Sequence, residues 1–159
     1  DLSEVPILIG CFAMGPAAGI IIEAMKILLN FIISGTVTAG VGELANFAIG
    51  CSMVLPAGLI YRYHKTRKNA VLGMAAGTLV MASIGGLLNA FVLLPAYAAL
   101  FGGMDAIIGM GTAVNKNITS VQSFVLLSVV PFNLVKGVIV SLVTFLLYKH
   151  VSRVLIHNA

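Results

Sequence analysis

Long apolar runs, separated by short polar or glycine-rich stretches, fill most of this 159-residue chain. The four longest cover 17–33, 43–61, 70–94 and 121–148, close to or above the about 20 residues that a helix needs to cross a bilayer. Charged residues make up only 9% of the chain, against roughly 25% in an ordinary soluble domain. The sequence therefore predicts an all-α integral membrane protein, folded as a single transmembrane helical domain over 1–159.

The distribution of basic residues predicts the orientation of these spans. One short cluster at 62–68 and a second pair, Lys149 and Arg153, directly follow apolar runs, which is the pattern of cytoplasmic loop ends. A shorter apolar segment, Ile7–Met14, ends at Gly15-Pro16 and brings the number of membrane segments to five. We expect the C-terminus in the cytoplasm, residue 1 outside, and a six-helix bundle in the intact protein, with its first helix preceding Asp1.

Three stretches are predicted to be loops on the outer side. Asp1–Pro6 is polar and acidic, with Ser3 as an expected helix N-cap and Pro6 in the first turn that follows. Ser34–Gly42 is rich in glycine and threonine. Phe101–Ser120 is the longest, and its apolar middle suggests a segment that lies in the membrane interface or folds over a pocket as a lid.

Four polar side chains interrupt the spans near their outer ends, and they are the first candidates for a binding site. Asn46, Asn89 and Asn133 come from three different spans, and Lys136 follows Asn133 by three residues, on the same helical face. A buried lysine at membrane depth is costly and points to a function. Amides and an ammonium converging in an apolar wall are typical of a pocket for a small polar molecule. Interhelical hydrogen bonding is the alternative explanation for each asparagine.

Other charged residues in the spans have simpler explanations. Glu23 and Lys26, three residues apart on one helical face, can form a local ion pair near the cytoplasmic boundary, or else contact a partner subunit or the ligand. Glu43 opens a span, where the helix dipole favours an acidic residue, although it also lies near the predicted pocket.

The sequence lacks residues that several functional classes require. The three histidines, His64, His150 and His157, lie in the basic regions, so we expect neither a metal site nor a catalytic triad. The chain has no Walker A sequence and so is not expected to hydrolyse ATP itself. Without aromatic interleaving or a basic stripe, its net charge of +4 indicates lipid headgroups rather than nucleic acid as a partner.

Five segments, in this order and spacing, carry a resemblance to a known family: DLSEVPILIG, GPAAGIIIEAMK, GELANFAIG, LNAFVLLPAY and PFNLVKGVIVSLVTFLLYK. The chain resembles the substrate-binding S component of bacterial energy-coupling factor (ECF) vitamin transporters, and the LPAY and PFNxxKG patterns are similar to those of the riboflavin-specific group. The resemblance covers essentially the whole chain apart from Phe101–Ser120, which is longer than in that group.

The resemblance implies a non-enzymatic subunit of the bacterial plasma membrane that captures a vitamin on the outer side. ATP hydrolysis would belong to two cytoplasmic ATPases, which act with a transmembrane T component, and no cofactor is expected. The ligand contacts of the family fall on Asn89, Asn133 and Lys136, and its substrate loop on the Asp1–Pro6 region, which includes Pro6. With Asn46, Glu43 and Tyr97 of the LPAY segment, these are the predicted ligand-binding residues.

Two alternatives remain open from the residues. Carriers of hydroxymethylpyrimidine, pyridoxine or pantothenate share much of this scaffold, so the resemblance alone does not settle the vitamin. A stand-alone secondary carrier could use Glu23 and Lys26 as a proton relay, although the sequence shows no inverted repeat to support it.

Overall fold

A computed structural model describes residues 2–36 and 40–157, except for the side chains of 149 and 151–157. All regular secondary structure in this part of the chain is helical. The helices are α1 Glu4–Met14, α2 Pro16–Ser34, α3 Val41–Tyr63, α4 Arg67–Leu88, α5 Leu94–Phe101, α6 Met104–Val114, α7 Val121–Phe124 and α8 Val130–His157. The predictions that rest on Asp1, on residues 37–39 and on the side chains of Lys149 and Arg153 lie outside the described residues.

Four stretches of the described chain are long and apolar enough to cross a membrane: Pro16–Ser34, Val41–Tyr63, Arg67–Phe101 and Val121–Tyr148. They coincide with the four long runs of the sequence. Helices α1 and α6 are apolar but shorter. Most of the large side chains that face outward are aliphatic or aromatic, as expected for a surface covered by lipid. The membrane class predicted from the sequence is confirmed.

The two longest spans each contain a proline near the outer end, and neither proline breaks its helix. A π-helical turn, Asn89–Leu93, joins α4 to α5 just before Pro95, and another, Val125–Val129, joins α7 to α8 just before Pro131. In these turns the hydrogen bond shifts by one residue, from Leu94 N–H to the Asn89 carbonyl in the first case. The wider turn accommodates the proline and its missing donor, so each span stays continuous.

The prediction of a loop over Phe101–Ser120 is wrong for its middle part, which forms α6. Gly102 and Gly103 have φ of 99° and 106°, the left-handed region that glycine adopts readily, and they reverse the chain between α5 and α6. Ile107 of α6 then packs with a small apolar group on α5 and the second π turn. The glycines of GGMDAIIGMG suggested a loop, but tertiary burial outweighs their low helix propensity.

The segment Asp1–Pro6 is likewise helical from Glu4 onward, and Pro6 occupies the first turn as predicted. Ser3 stands at the N-cap position, but its side chain makes no capping hydrogen bond. Gly15, with φ of 103°, separates α1 from α2 at the predicted Gly15-Pro16 break. Glu4–Pro6, which we predicted to be part of a polar loop, therefore belongs to α1.

Helices α3 and α4 pack closely because α4 carries glycines on the contact face. A Cβ on Gly73 would lie 2.7 Å from the Ala57 carbonyl oxygen, and one on Gly77 would overlap the Met53 carbonyl. Gly73 and Gly77 thus let α3 and α4 of this chain approach each other closely, as small residues do in other membrane helix contacts.

Aromatic residues pack the bundle together at the C-terminal parts of α3 and α8. There, Tyr61 of α3 and Tyr148 of α8 share a hydrogen bond of 2.7 Å between their hydroxyls. The Phe12 ring of α1 packs on Tyr61, with centroids 4.6 Å apart. Together with buried Met53 and Met74, these residues form an apolar core. A second, smaller core joins α5, α6 and the second π turn through Leu94, Ala98, Ile107 and Val125.

Replacing Gly77 by alanine should destabilise the bundle, because the added methyl group would push α3 away from α4. We expect a loss of about 1–3 kcal/mol in the free energy of unfolding, the usual cost of overpacking. Thermal unfolding in detergent measures it. Gly109→Ala in α6 is the matched control, since nothing lies within 4 Å of its Cβ position. Equal midpoints for both variants would contradict close packing at Gly77.

Candidate functional site

A polar cavity of about 320 Å³ lies between the first residues of α1, the second half of α2, the first half of α3 and α8. This volume falls at the lower end of the range for small-molecule sites, about 300–1,000 Å³. Its lining residues are Ser3, Glu4, Lys26, Ile27, Asn30, Asn46, Ile49, Gly50 and Lys136. Polar groups from four helices thus face one space in an otherwise apolar bundle.

Two of the residues predicted from the sequence line this cavity, Asn46 and Lys136. Lys136 is half-buried, and among the described residues its ammonium has neither a hydrogen-bond partner nor an ion pair. Its neighbour Gly137 is buried against Thr78 of α4, which holds this part of α8 close to the bundle. An unpaired cation at this depth is costly unless it faces a cavity or gains a partner.

Asn89 and Asn133 are brought together at a different point, the backbone of Gly85. Asn89 donates from Nδ2 to the Gly85 carbonyl at 2.7 Å. Asn133 is buried, and its Nδ2 lies 2.5 Å from the position that a Cβ on Gly85 would occupy. The side chain of Ile49, which lines the cavity, is 3.9 Å from that same position. Both amides therefore contact Gly85, and neither is among the residues that line the cavity.

The other three predicted residues lie outside the cavity lining. Glu43 accepts a hydrogen bond of 2.9 Å from the Thr36 hydroxyl, which joins the end of α2 to the start of α3. Pro6 is exposed on α1. Tyr97 packs against Phe101, with ring centroids 6.0 Å apart, and contacts both apolar cores.

An ion network on α1 and α2 forms one wall of the cavity, and the sequence revealed only part of it. The predicted pair of Glu23 and Lys26 is present, with Nζ 2.9 Å from Glu23 Oε1. Lys26 Nζ also lies 2.7 Å from Glu4 Oε1, and 3.4 Å from the Ser3 hydroxyl. The pair therefore stands beside the start of α1 and the cavity, not at the cytoplasmic boundary where we expected it.

Glu23 is fully buried, and a glycine makes the space for it. Its carboxylate occupies the volume that a side chain on Gly50 of α3 would fill. Glu4 is buried as well, with 1% of its surface exposed, and its second oxygen has no hydrogen-bond partner within the described part of the chain. Lys26 keeps about a quarter of its side chain exposed. One ammonium thus stands beside two buried carboxyl groups.

Sequence reasoning did not name Ser3, Glu4 or Asn30 as site residues, although Ser3 and Glu4 fall in the Asp1–Pro6 region that the resemblance gives as the substrate loop. Glu4 and Lys26 are 22 positions apart, so no helical period connects them, and Glu4 looked like an ordinary acidic loop residue. Asn30 follows Lys26 by one helical turn, which is the one signal in the sequence that could have identified it. Among the side chains that the structure describes, no group of three or more His, Cys, Asp or Glu could hold a metal ion.

Comparisons with known proteins agree with this architecture. Apolar spans around a polar cavity define a membrane protein with a small-molecule site between its helices. The family model of the ECF transporter substrate-specific component matches residues 1–148, so the chain belongs to that family.

Individual relatives extend over nearly the whole chain. It is 35% identical over 155 residues to the riboflavin transporter RibU of Staphylococcus aureus, covering 98% of this chain and 75% of that protein. It is 30% identical to the riboflavin transporter FmnP of Bacillus subtilis, covering 93% and 73%. A solved structure of the S component of a bacterial ECF transporter superposes with a TM-score of 0.71 at 37% identity, covering 98% of this chain and 78% of the other.

The two cavity lysines should respond differently to the same substitution. Lys26→Met leaves two buried carboxylates without their cation, and we expect a loss of about 3–5 kcal/mol in the free energy of unfolding. Adding Glu23→Gln should recover part of it. Lys136→Met breaks no pair and should leave the unfolding midpoint in detergent unchanged or higher. Similar losses for both lysines would contradict the network.

Proposed function

We propose that this chain is the substrate-binding subunit of an ECF importer and that its ligand is riboflavin. The riboflavin transporters of Staphylococcus aureus and Bacillus subtilis, at 35% and 30% identity over nearly the whole chain, support this choice of vitamin over the alternatives. The subunit itself would be non-enzymatic, since it captures the vitamin and leaves the use of ATP to other subunits.

The observation that carries the proposal is Lys136, which lines the polar cavity together with Asn46 and has no partner among the described residues. The pyrimidine edge of a flavin alternates carbonyl oxygens with an N–H group. An ammonium donates to a carbonyl, and an amide both donates and accepts, so Lys136 and Asn46 match that edge. The bound ligand would supply the partner that Lys136 lacks.

Asn89 and Asn133 keep their proposed role as ligand contacts, although neither lines the cavity. Asn89 donates to the Gly85 carbonyl, and Asn133 lies against Gly85. Direct contact with a ligand in the cavity would require these side chains to change conformation, while the amides could otherwise hold α4 and α8 together. Glu43, Pro6 and Tyr97 stay predictions of the sequence.

The partners follow from the same proposal. A transmembrane T component and two cytoplasmic ATPases would complete the importer in the bacterial plasma membrane. The exposed basic cluster of Arg62, Lys65, Arg67 and Lys68 supports a cytoplasmic position for the α3–α4 turn, which agrees with the predicted cytoplasmic C-terminus.

The purified protein should bind riboflavin, and Lys136→Met should weaken that binding by about tenfold or more, because a hydrogen bond from a charged donor is lost. Quenching of flavin fluorescence gives the dissociation constant. Lys116→Met is the matched control, since this exposed lysine lies outside the cavity. A wild-type protein without affinity for riboflavin would refute the vitamin assignment.

The division of labour between subunits is tested by ATP hydrolysis. The chain alone, in liposomes with riboflavin, should hydrolyse no ATP above the background of empty liposomes. Co-expression with the T component and the ATPases should restore riboflavin uptake in cells that cannot synthesise the vitamin. ATPase activity of the isolated chain would contradict the role of a binding subunit.

A further inference from the structure

Another concave surface of the bundle is a groove of about 570 Å³ between α4 and α8, which shares no lining residue with the polar cavity. The groove follows α4 over 71–79 and α8 over 134–145. Its hydroxyl groups are turned inward, because Thr78 donates to the Met74 carbonyl within α4 and the Ser141 oxygen is buried. The groove therefore presents an apolar surface to whatever occupies it.

The length of the groove matches the depth of one leaflet of a bilayer. At 1.5 Å per helical residue, its lining extends over about 12 Å along α4 and about 16 Å along α8. Half of the hydrocarbon core of a bilayer is about 15 Å thick. One acyl chain of a lipid in a single leaflet is therefore long enough to fill the groove.

Two basic residues stand at the end of the groove where α4 begins. Arg67 and Lys68 are the first residues of α4, and the groove starts at Val71, one helical turn after Arg67 and on the same face. Both basic side chains are exposed, and neither forms an ion pair among the described residues. Basic residues at a membrane surface attract anionic lipid headgroups. The groove thus leads from two cations at the membrane surface to an apolar space at membrane depth.

A lipid chain fits this groove better than a helix of a partner protein does. Membrane helices approach each other where their residues are small, as α3 and α4 do at Gly73 and Gly77. The α4–α8 groove instead carries exposed leucines, Leu79 on α4 and Leu142 on α8. These side chains would keep a second helix at a distance, whereas a flexible acyl chain can follow the space between them.

We propose that the α4–α8 groove is a binding site for one anionic phospholipid. One acyl chain of the lipid lies in the groove, and Arg67 and Lys68 hold its phosphate-bearing headgroup. The site shares no residue with the polar cavity, so it does not depend on the proposed function or on the identity of the vitamin.

Two phospholipids with identical acyl chains test the role of the charges. Native mass spectrometry of the protein in detergent, titrated with phosphatidylglycerol or phosphatidylcholine, should show one phosphatidylglycerol bound about tenfold more tightly than phosphatidylcholine. The double variant Arg67→Gln, Lys68→Gln should bring the two affinities within about twofold. The matched control is Arg62→Gln, Lys65→Gln, which removes the same charge from residues that line a pocket beside α1 and α2. This control should keep the preference.

Ala75→Phe tests the acyl chain, because it places an aromatic ring in the groove. It should weaken the binding of both lipids by about tenfold and keep the preference for phosphatidylglycerol, since the headgroup contacts remain. Ala24→Phe, at an exposed alanine of α2 outside the groove, is the matched control and should change neither affinity. Equal unfolding midpoints of the two variants in detergent without added lipid separate a blocked groove from a loss of structure.

Three results would overturn the inference. The first is equal affinity of the wild type for both lipids. The second is an equal loss of preference in both double variants, which a diffuse lipid layer around the whole basic cluster would give. The third is wild-type lipid binding by Ala75→Phe. A dimer that is lost in Ala75→Phe but kept in Ala24→Phe would assign the groove to a second copy of the chain instead of a lipid.

Discussion

Close approach of helices at a few glycines is the constraint on which the rest of the bundle depends. Helix α3 lies against α1, α2 and α4, and at each contact a side chain is missing from one partner. Gly50 makes room for Glu23, Gly58 for Cys11 and Pro16, and the α4 glycines for the α3 backbone. Helices in lipid gain little from burying apolar surface, so packing of this kind supplies much of their association.

The same contacts determine where charge can lie. Because Gly50 has no side chain, the Glu23 carboxylate fits between α2 and α3, and Lys26 is held in front of it at the cavity. Lys136 has no such support from the described residues and depends on what enters the cavity. The two lysines face one space with opposite requirements: one is satisfied by the protein, and the other is left for a ligand.

The sequence predicted the spans well, because hydropathy over 20 or more residues is a strong signal. It also predicted the local pair of Glu23 and Lys26, although not its position beside the start of α1. It did not predict α6, whose glycines suggest a loop until its burial against α5 is known.

The site was predicted only in part, for a physical reason. Asn46 and Lys136 stand out as polar residues in apolar runs, and they do line the cavity. The contact of Glu4 with Lys26 depends on how α1 folds back along α2, which no local pattern encodes. The position of Asn89 and Asn133 at Gly85, outside the cavity lining, depends on side-chain directions that spacing alone could not give.

The outer ends of the two longest spans form a small packing unit of their own. Helices α5 and α6 share a core with the second π turn, residues of α7 pack against it, and none of these three helices lines the cavity. Tyr97, which contacts both cores, connects this unit to the bundle. The 101–120 segment thus lies apart from the cavity lining, so a change in its length would leave those lining residues in place.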